Sequence, residues 1–268
     1  MQWIYLSPHF DDIALSCGGL VWEQVQTGNR VEIWTICGGD PPDAPLSPFA
    51  KQLHERWQIG TEVVKDRRQE DVLASKRLGV AYRHFDWPDC IYRVKAETGQ
   101  PLIGGEEDLF SACPEEPVIF ELAELLKRAV PKGASLVSPV ALGSHVDHLL
   151  TRFAAERSNL PLYFYADYPY VLHSPEFSEL IELYSQGKMG KKIATPTQTD
   201  LDQEKLSGPR WCRLPTALSE EALQNWQSAI AAYRSQISTF WGGTADMELA
   251  IRNYWAGGGG RLLQKVEV

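Results

Sequence analysis

Residues 2–36 read QWIYLSPHFDDIALSCGGLVWEQVQTGNRVEIWTI, and the order of their apolar runs decides the fold. Residues 2–6 form a short apolar run, and residues 13–26 place Ile13, Leu20, Val21 and Val25 at helical spacing. Gly28 and Asn29 stop that helix, and residues 31–36 read as a buried strand with Gly38 and Gly39 behind it. The result is a strand–helix–strand unit, in which the carboxyl end of a parallel strand is the place where open α/β sheets bind ligands.

Working outward, residues 40–48 carry four prolines and read as a loop, followed by a mixed helix to about residue 64 that Gly60 interrupts. Residues 67–78 are predicted helical, with Val72 and Leu78 inward and Gly79 as the C-terminal cap. A strand over 81–85, an exposed loop or flap over 87–116, a helix over 118–129 and a strand over 135–139 follow. After His148 a helix runs to about residue 157, then an aromatic strand over 162–166. Residues 169–192 read as partly helical, 193–215 as loop or irregular strand, 220–240 as one amphipathic helix, and 261–268 as a last strand behind a short glycine run. Alternating strands and helices imply an α/β, Rossmann-like, mostly parallel sheet with helices on both faces.

At 268 residues, 44% apolar and 23% charged, the chain is expected to form a single domain over 1–268. A net charge of −9 argues against nucleic-acid partners and anionic membranes, which need a basic face. No apolar run reaches bilayer length and no leader pattern opens the chain, so the expected location is cytoplasmic. The cysteines at 17, 37, 90, 113 and 212 are odd in number and lack paired close spacing, which predicts reduced thiols rather than a disulfide framework.

Two segments carry the chemistry: Ser7-Pro8-His9-Phe10-Asp11-Asp12 and Ser144-His145-Val146-Asp147-His148. Each combines His with Asp, follows an apolar strand and precedes a helix. His9 and Asp12, three apart at a strand-to-helix turn, can aim at one spot while Asp11 faces elsewhere. Asp12 then binds a metal and Asp11 stays free to take a proton from metal-bound water. His148 supplies the third ligand. Such a set leaves zinc one open position and makes hydroxide available near neutral pH, to attack an amide carbonyl. His145 can donate to the oxyanion that forms, and Asp147 can orient a histidine. Iron(II) suits the same donors.

These two segments resemble the A-H-P-D-D-E and H-P-D-H signatures of the PIG-L/LmbE-like family of zinc-dependent N-acetylglucosamine deacetylases. Arg67-Arg68-Gln69-Glu70, Asp86-Trp87-Pro88-Asp89 and the segment from Ala229 to Ser235-Gln236 are similar to later family elements in the same order. The resemblance implies that His9, Asp12 and His148 hold zinc, Asp11 is the general base, His145 stabilises the transition state, and Arg67 and Asp89 lie near sugar hydroxyls of a small N-acetylated conjugate. The sequence departs from the signatures at Phe10 and Val146, each in place of proline, and at Ile13 in place of glutamate. Gly143 stands where some members carry a tyrosine, which leaves Tyr92, Tyr168 or Tyr170 to supply a phenol; Trp87, Tyr92 and Trp211 are candidates to stack on a sugar.

Plainer readings exist for each residue. Asp11-Asp12 is also a common helix N-cap, Arg67 can pair with Glu70 on its own helix, and Asp89 can be a loop residue. Two functional alternatives stand beside deacetylation: magnesium-dependent phosphotransfer on Asp11 and Asp12, which leaves both histidines idle, and a sugar- or metal-binding protein without turnover.

Overall fold

In β1 (Gln2–Ser7) every side chain from Trp3 onward is buried; Trp3 and Tyr5 enter one apolar cluster, and Ile4 and Leu6 enter another on the opposite face. Burial on both faces is what a central parallel strand requires. The computed structural model describes residues 1–57, 62–174, 210–214 and 216–266. β1 pairs in parallel with β2 (Arg30–Thr35) on one side and β4 (Ser135–Pro139) on the other. β3 (Ala81–His84) extends the sheet beyond β2, and β5 (Leu162–Tyr165) beyond β4, both parallel. Antiparallel β7 (Leu262–Val266) and then β6 (Arg210–Arg213) complete the order β3-β2-β1-β4-β5-β7-β6. The α/β, mostly parallel architecture read from the sequence is therefore present, and the strand order reverses between β1 and β4, where doubly wound sheets open a crevice.

Helices cover both faces. On the Trp3 side lie α1 (Asp12–Gln26), α2 (Pro48–Trp57), α3 (Val63–Leu78), α7 (Glu220–Ile230) and α9 (Thr244–Ala256). On the Ile4 side lie α5 (Glu116–Ala129) and α6 (Val146–Arg157). Two short helices, α4 (Glu106–Ser111) and α8 (Arg234–Phe240), stand near the carboxyl ends of the strands, where α4 contributes Glu106 and Leu109, and α8 Gln236 and Thr239, to one cavity.

α1 is kinked at Cys17, whose φ of −153° is not helical. The cause is Trp226 of α7. Its indole Nε1 donates to the Ala14 carbonyl at 2.5 Å, and Gly18 and Gly19 leave room for the ring. A Cβ on Gly18 would stand 2.7 Å from Trp226 Cδ1, and Trp226 is fully buried with nowhere to retreat. Gly18→Ala is therefore expected to cost about 1–3 kcal/mol by overpacking. Urea unfolding checks this, and an unchanged midpoint would contradict it.

Three expectations need correction. The segment 87–116 is not an exposed loop throughout: Cys90, Ile91, Tyr92 and Ile103 are buried, and it holds a 3₁₀ turn at Cys90–Tyr92 as well as α4. The single helix over 220–240 is two, because the chain breaks at residues 231–233, where the Tyr233 hydroxyl reaches the Phe10 carbonyl at 2.8 Å and Asp71 at 2.6 Å. α9 fills a stretch for which the apolar pattern announced no element. Most of 169–192 and 193–215, Gly60 and the Trp211 side chain lie outside the described residues. No helix among the described residues is long and apolar enough to cross a membrane.

Candidate metal centre

The two motif segments meet at the crevice between β1 and β4. After β1, Ser7 Oγ donates to the His9 carbonyl at 2.5 Å, and the His9 N–H donates to Asp12 Oδ2 at 2.7 Å. This closed turn carries the His9 ring over Asp12, with Nδ1 3.4 Å from Oδ2. After β4 the backbone passes through three left-handed residues, Ala141 (φ 62°), Gly143 (φ 78°) and Ser144 (φ 61°). Such angles are uncommon for alanine and serine, and they cluster at functional loops. His145 then caps α6, its Nδ1 accepting the Asp147 N–H at 3.2 Å. The first turn of α6 brings His148 Nε2 to 3.4 Å from Asp12 Oδ1. Donor atoms of His9, Asp12 and His148 thus lie within 4.8 Å of one another.

Each ring is held from behind. Asp147 Oδ2 lies 3.1 Å from His9 Nε2, and the same carboxylate is fixed by the Cys90 N–H at 3.0 Å and by Arg93. Asp167, just past β5, lies 2.5 Å from His148 Nδ1, and its second oxygen accepts the Leu142 N–H at 3.2 Å. A ring that donates its far N–H to a carboxylate turns the near nitrogen, with its lone pair, toward Asp12. The sequence assigned Asp147 an orienting task, and the structure places it against His9. Asp167 was missed. Its signal was present: an aspartate at the end of an aromatic strand, at the same level of the sheet as the two motifs.

Charge at this centre is unbalanced. Asp11, Asp12, Asp89, Asp147 and Asp167 gather around two guanidiniums, Arg67 and Arg93. Burial disfavours charge on His148, but Asp12 and Asp167 outweigh it and push the ring up to about 9. Burial likewise opposes charge on Asp12, yet the facing His148 and His9 hold its carboxyl well below the usual range. A divalent cation would neutralise the same acids that otherwise draw protons onto the rings. Two imidazoles and one carboxylate, oriented and desolvated in this way, fit zinc, with iron(II) as the other suitable ion. Magnesium, which prefers oxygen donors, would leave both oriented histidines unused.

The remaining site residues line the same cavity of about 200 Å³. Asp11 makes no capping bond to α1; its Oδ1 lies 3.5 Å from Arg67 Nη2 instead. Burial raises its carboxyl, Arg67 opposes the rise, and the balance stands at about 6. Burial first, then the neighbouring His9 and His148, keep His145 well below its ordinary range, so it is a neutral ring. Because Nδ1 accepts from the backbone, its proton sits on Nε2.

Arg67 does not pair with Glu70, which is occupied by Ser235 at 2.6 Å; its guanidinium stacks 4.5 Å from the Trp57 ring. Asp89 caps the 3₁₀ turn through Ile91 N–H at 3.2 Å and still borders the cavity. A Cβ at Gly143 would stand 2.8 Å from Tyr170 Cδ1, so no larger side chain fits there, and the Tyr170 ring lies 5.7 Å from the His148 ring. Tyr168 also borders the cavity, whereas Tyr92 is buried against His54 at 2.7 Å. Trp87 is partly buried against the cluster on the Ile4 side and is not among the residues that line the cavity. Gln236, from the Ser235-Gln236 pair that resembles a family element, lines the wall together with Trp57 and Thr239, which were not anticipated, and Thr239 Oγ1 is buried with no hydrogen-bond partner among the described residues.

The family model described as PIG-L: GlcNAc-PI de-N-acetylase matches residues 4–158. A 2'-N-acetylparomamine deacetylase of Niallia circulans is 30% identical, over 73% of this chain and 76% of that protein. A protein of the same description from Streptomyces fradiae is 34% identical, over 62% of this chain and 57% of its own length. The crystal structure of a deacetylase–bog complex from the biosynthesis pathway of teicoplanin superposes with a TM-score of 0.73 at 24% identity, over 100% of this chain and 99% of the other, a likeness of fold.

Proposed function

The chain belongs to the PIG-L family, and from that premise we propose that it is a metal-dependent hydrolase that removes the acetyl group from an N-acetylated amino-sugar conjugate. The observation that carries this reading is the convergence of His9 Nδ1, Asp12 and His148 Nε2, each ring braced by its own carboxylate. Two relatives named for N-acetylparomamine point to an amino sugar of the aminoglycoside type as the substrate class. Residues 1–268 act as one domain in this reading, supported by a single sheet that takes β6 and β7 from beyond the matched segment 4–158. A cytoplasmic site of action is supported by the free thiols of Cys17, Cys37, Cys90 and Cys113.

His9, Asp12 and His148 would hold the ion, zinc being the first choice. The chemistry an ion held by these residues would supply is a water of pKa lowered toward neutrality and polarisation of an amide oxygen. Asp11, beside these residues and held by Arg67, takes the proton of the attacking water. Its carboxyl, lifted to about 6, is suited to accepting a proton and giving it up again. As oxygen adds to the carbonyl carbon, the neutral His145 donates its Nε2–H to the developing oxyanion. The C–N bond then breaks, Asp11 returns its proton to the departing nitrogen, and acetate and a free amine leave. Arg67, Asp89, Gln236 and Thr239 offer polar contacts for sugar hydroxyls, and Trp57 and Tyr168 offer aromatic walls.

The test is acetate release across a panel of N-acetylated amino sugars, with and without a chelator. Acetate and free amine are expected in equal amounts, lost on chelation and restored by zinc or iron(II). Turnover of phosphate esters with magnesium, or binding of these sugars with no acetate released, would overturn the proposal.

A further inference from the structure

We infer that Tyr233 is a positioning residue that fixes the metal-binding turn, an inference that rests on the functional reading above. The turn from Ser7 to Asp12 carries two of the three metal-facing side chains, and Phe10 lies in its middle. The first backbone bond of α1 joins Leu15 N–H to the Asp11 carbonyl at 2.9 Å, so the Phe10 carbonyl stands one residue ahead of the helical ladder. It is met by the Tyr233 hydroxyl at 2.8 Å, inside the protein. The hydroxyl's single hydrogen is shared between that carbonyl and Asp71 Oδ1 at 2.6 Å, and Asp71 Oδ2 reaches His84 Nε2 at 2.7 Å and Thr35 Oγ1 at 3.4 Å. Thr35 and His84 are the last residues of β2 and β3. The turn is thereby tied through one phenol to the ends of two neighbouring strands.

This tie takes the place of a covalent constraint. The signature that the turn resembles has proline at this position, where the ring fixes φ; Phe10 has no such ring, and a hydrogen bond from a residue 223 positions along the chain holds the backbone instead. The anchor comes from beyond the matched segment 4–158, so the first metal-binding motif depends on the C-terminal portion for its shape.

Three variants test this, with zinc alone as the probe in competition with a chromophoric chelator. Tyr233→Phe is expected to weaken zinc binding by about ten-fold, in line with other residues that orient metal ligands, and to lower kcat for acetate release with little change in KM. In Asp71→Asn the side-chain amide can donate to the phenol oxygen and leave its one hydrogen to the Phe10 carbonyl, so this variant is expected to lower the melting temperature of the metal-free protein while zinc affinity stays within about two-fold of wild type. Phe10→Pro added to Tyr233→Phe should recover zinc affinity without recovering the melting temperature. Equal losses of zinc affinity in Tyr233→Phe and Asp71→Asn, or a Tyr233→Phe protein that is less stable but binds zinc normally, would overturn the inference. Wild-type protein that binds zinc and releases no acetate would sink the deacetylase reading and leave the zinc comparison standing; wild-type protein that binds no zinc would sink both.

Discussion

Asp11→Asn is expected to lower the rate of acetate release by about 10²–10⁴-fold while the protein keeps its full complement of metal. The substitution preserves shape and removes the only feature the proposed step needs, an oxygen able to accept a proton. Metal content should survive because Asp11 stands outside the group of donor atoms formed by His9, Asp12 and His148, and faces Arg67 at 3.5 Å. KM should change by no more than about three-fold, since an interaction made only in the transition state lowers kcat and kcat/KM together. Steady-state kinetics with elemental analysis of the same preparation checks both halves. Loss of the ion along with activity would mean that Asp11 is itself a ligand and that the tasks of the two adjacent aspartates are exchanged.

That Asp11 and Asp12 face different partners, Arg67 and His148, was legible in the sequence because neighbouring residues at a strand-to-helix turn must point in different directions. So were β1, β2 and β4, whose residues are apolar on both faces, and so was the meeting of His9 with His148, since parallel strands deliver their carboxyl ends to one edge of the sheet. What stayed hidden depends on long-range packing. Pro, Gly and acidic residues between 87 and 116 read as solvent-exposed, yet Cys90 donates its N–H to buried Asp147, and the segment is drawn inward by that bond. The apolar pattern of α7 runs on toward α8 without a glycine or proline to mark the break at residues 231–233, because the break is set by the reach of Tyr233 to Phe10, far away in sequence. The kink at Cys17 has the same character: the apolar spacing of residues 13–26 reads as one continuous helix, and only the fold identifies Trp226 as the ring that packs against Gly18 and Gly19. Trp57 and Thr239 were missed because helices with ordinary surface spacing gave no sign that α2 and α8 border the cavity.

Asp167→Asn is expected to weaken zinc binding by about 10–100-fold at alkaline pH, and by progressively less as pH falls. The pH dependence follows from His148. In the metal-free protein Asp12 and Asp167 overcome the effect of burial and raise this ring to about 9 from its ordinary 6.5. A raised imidazole adds stability to the metal-free fold that is fully present below pH 6.5 and is lost as pH climbs through about 9. Zinc needs the same nitrogen without its proton, so its apparent affinity should rise about ten-fold per pH unit across that window and level off above it. Removing the Asp167 charge acts on both sides of this competition: it makes the ring a poorer ligand, and it also makes the ring easier to deprotonate. The first effect dominates where His148 is already neutral, near pH 9.5, and the second offsets it near pH 6.5. Zinc competition titrations on wild type and variant across this range should therefore give curves that converge toward acid. Parallel curves, with the same loss at every pH, would show that Asp167 supports the loop at Leu142 without governing the charge on His148.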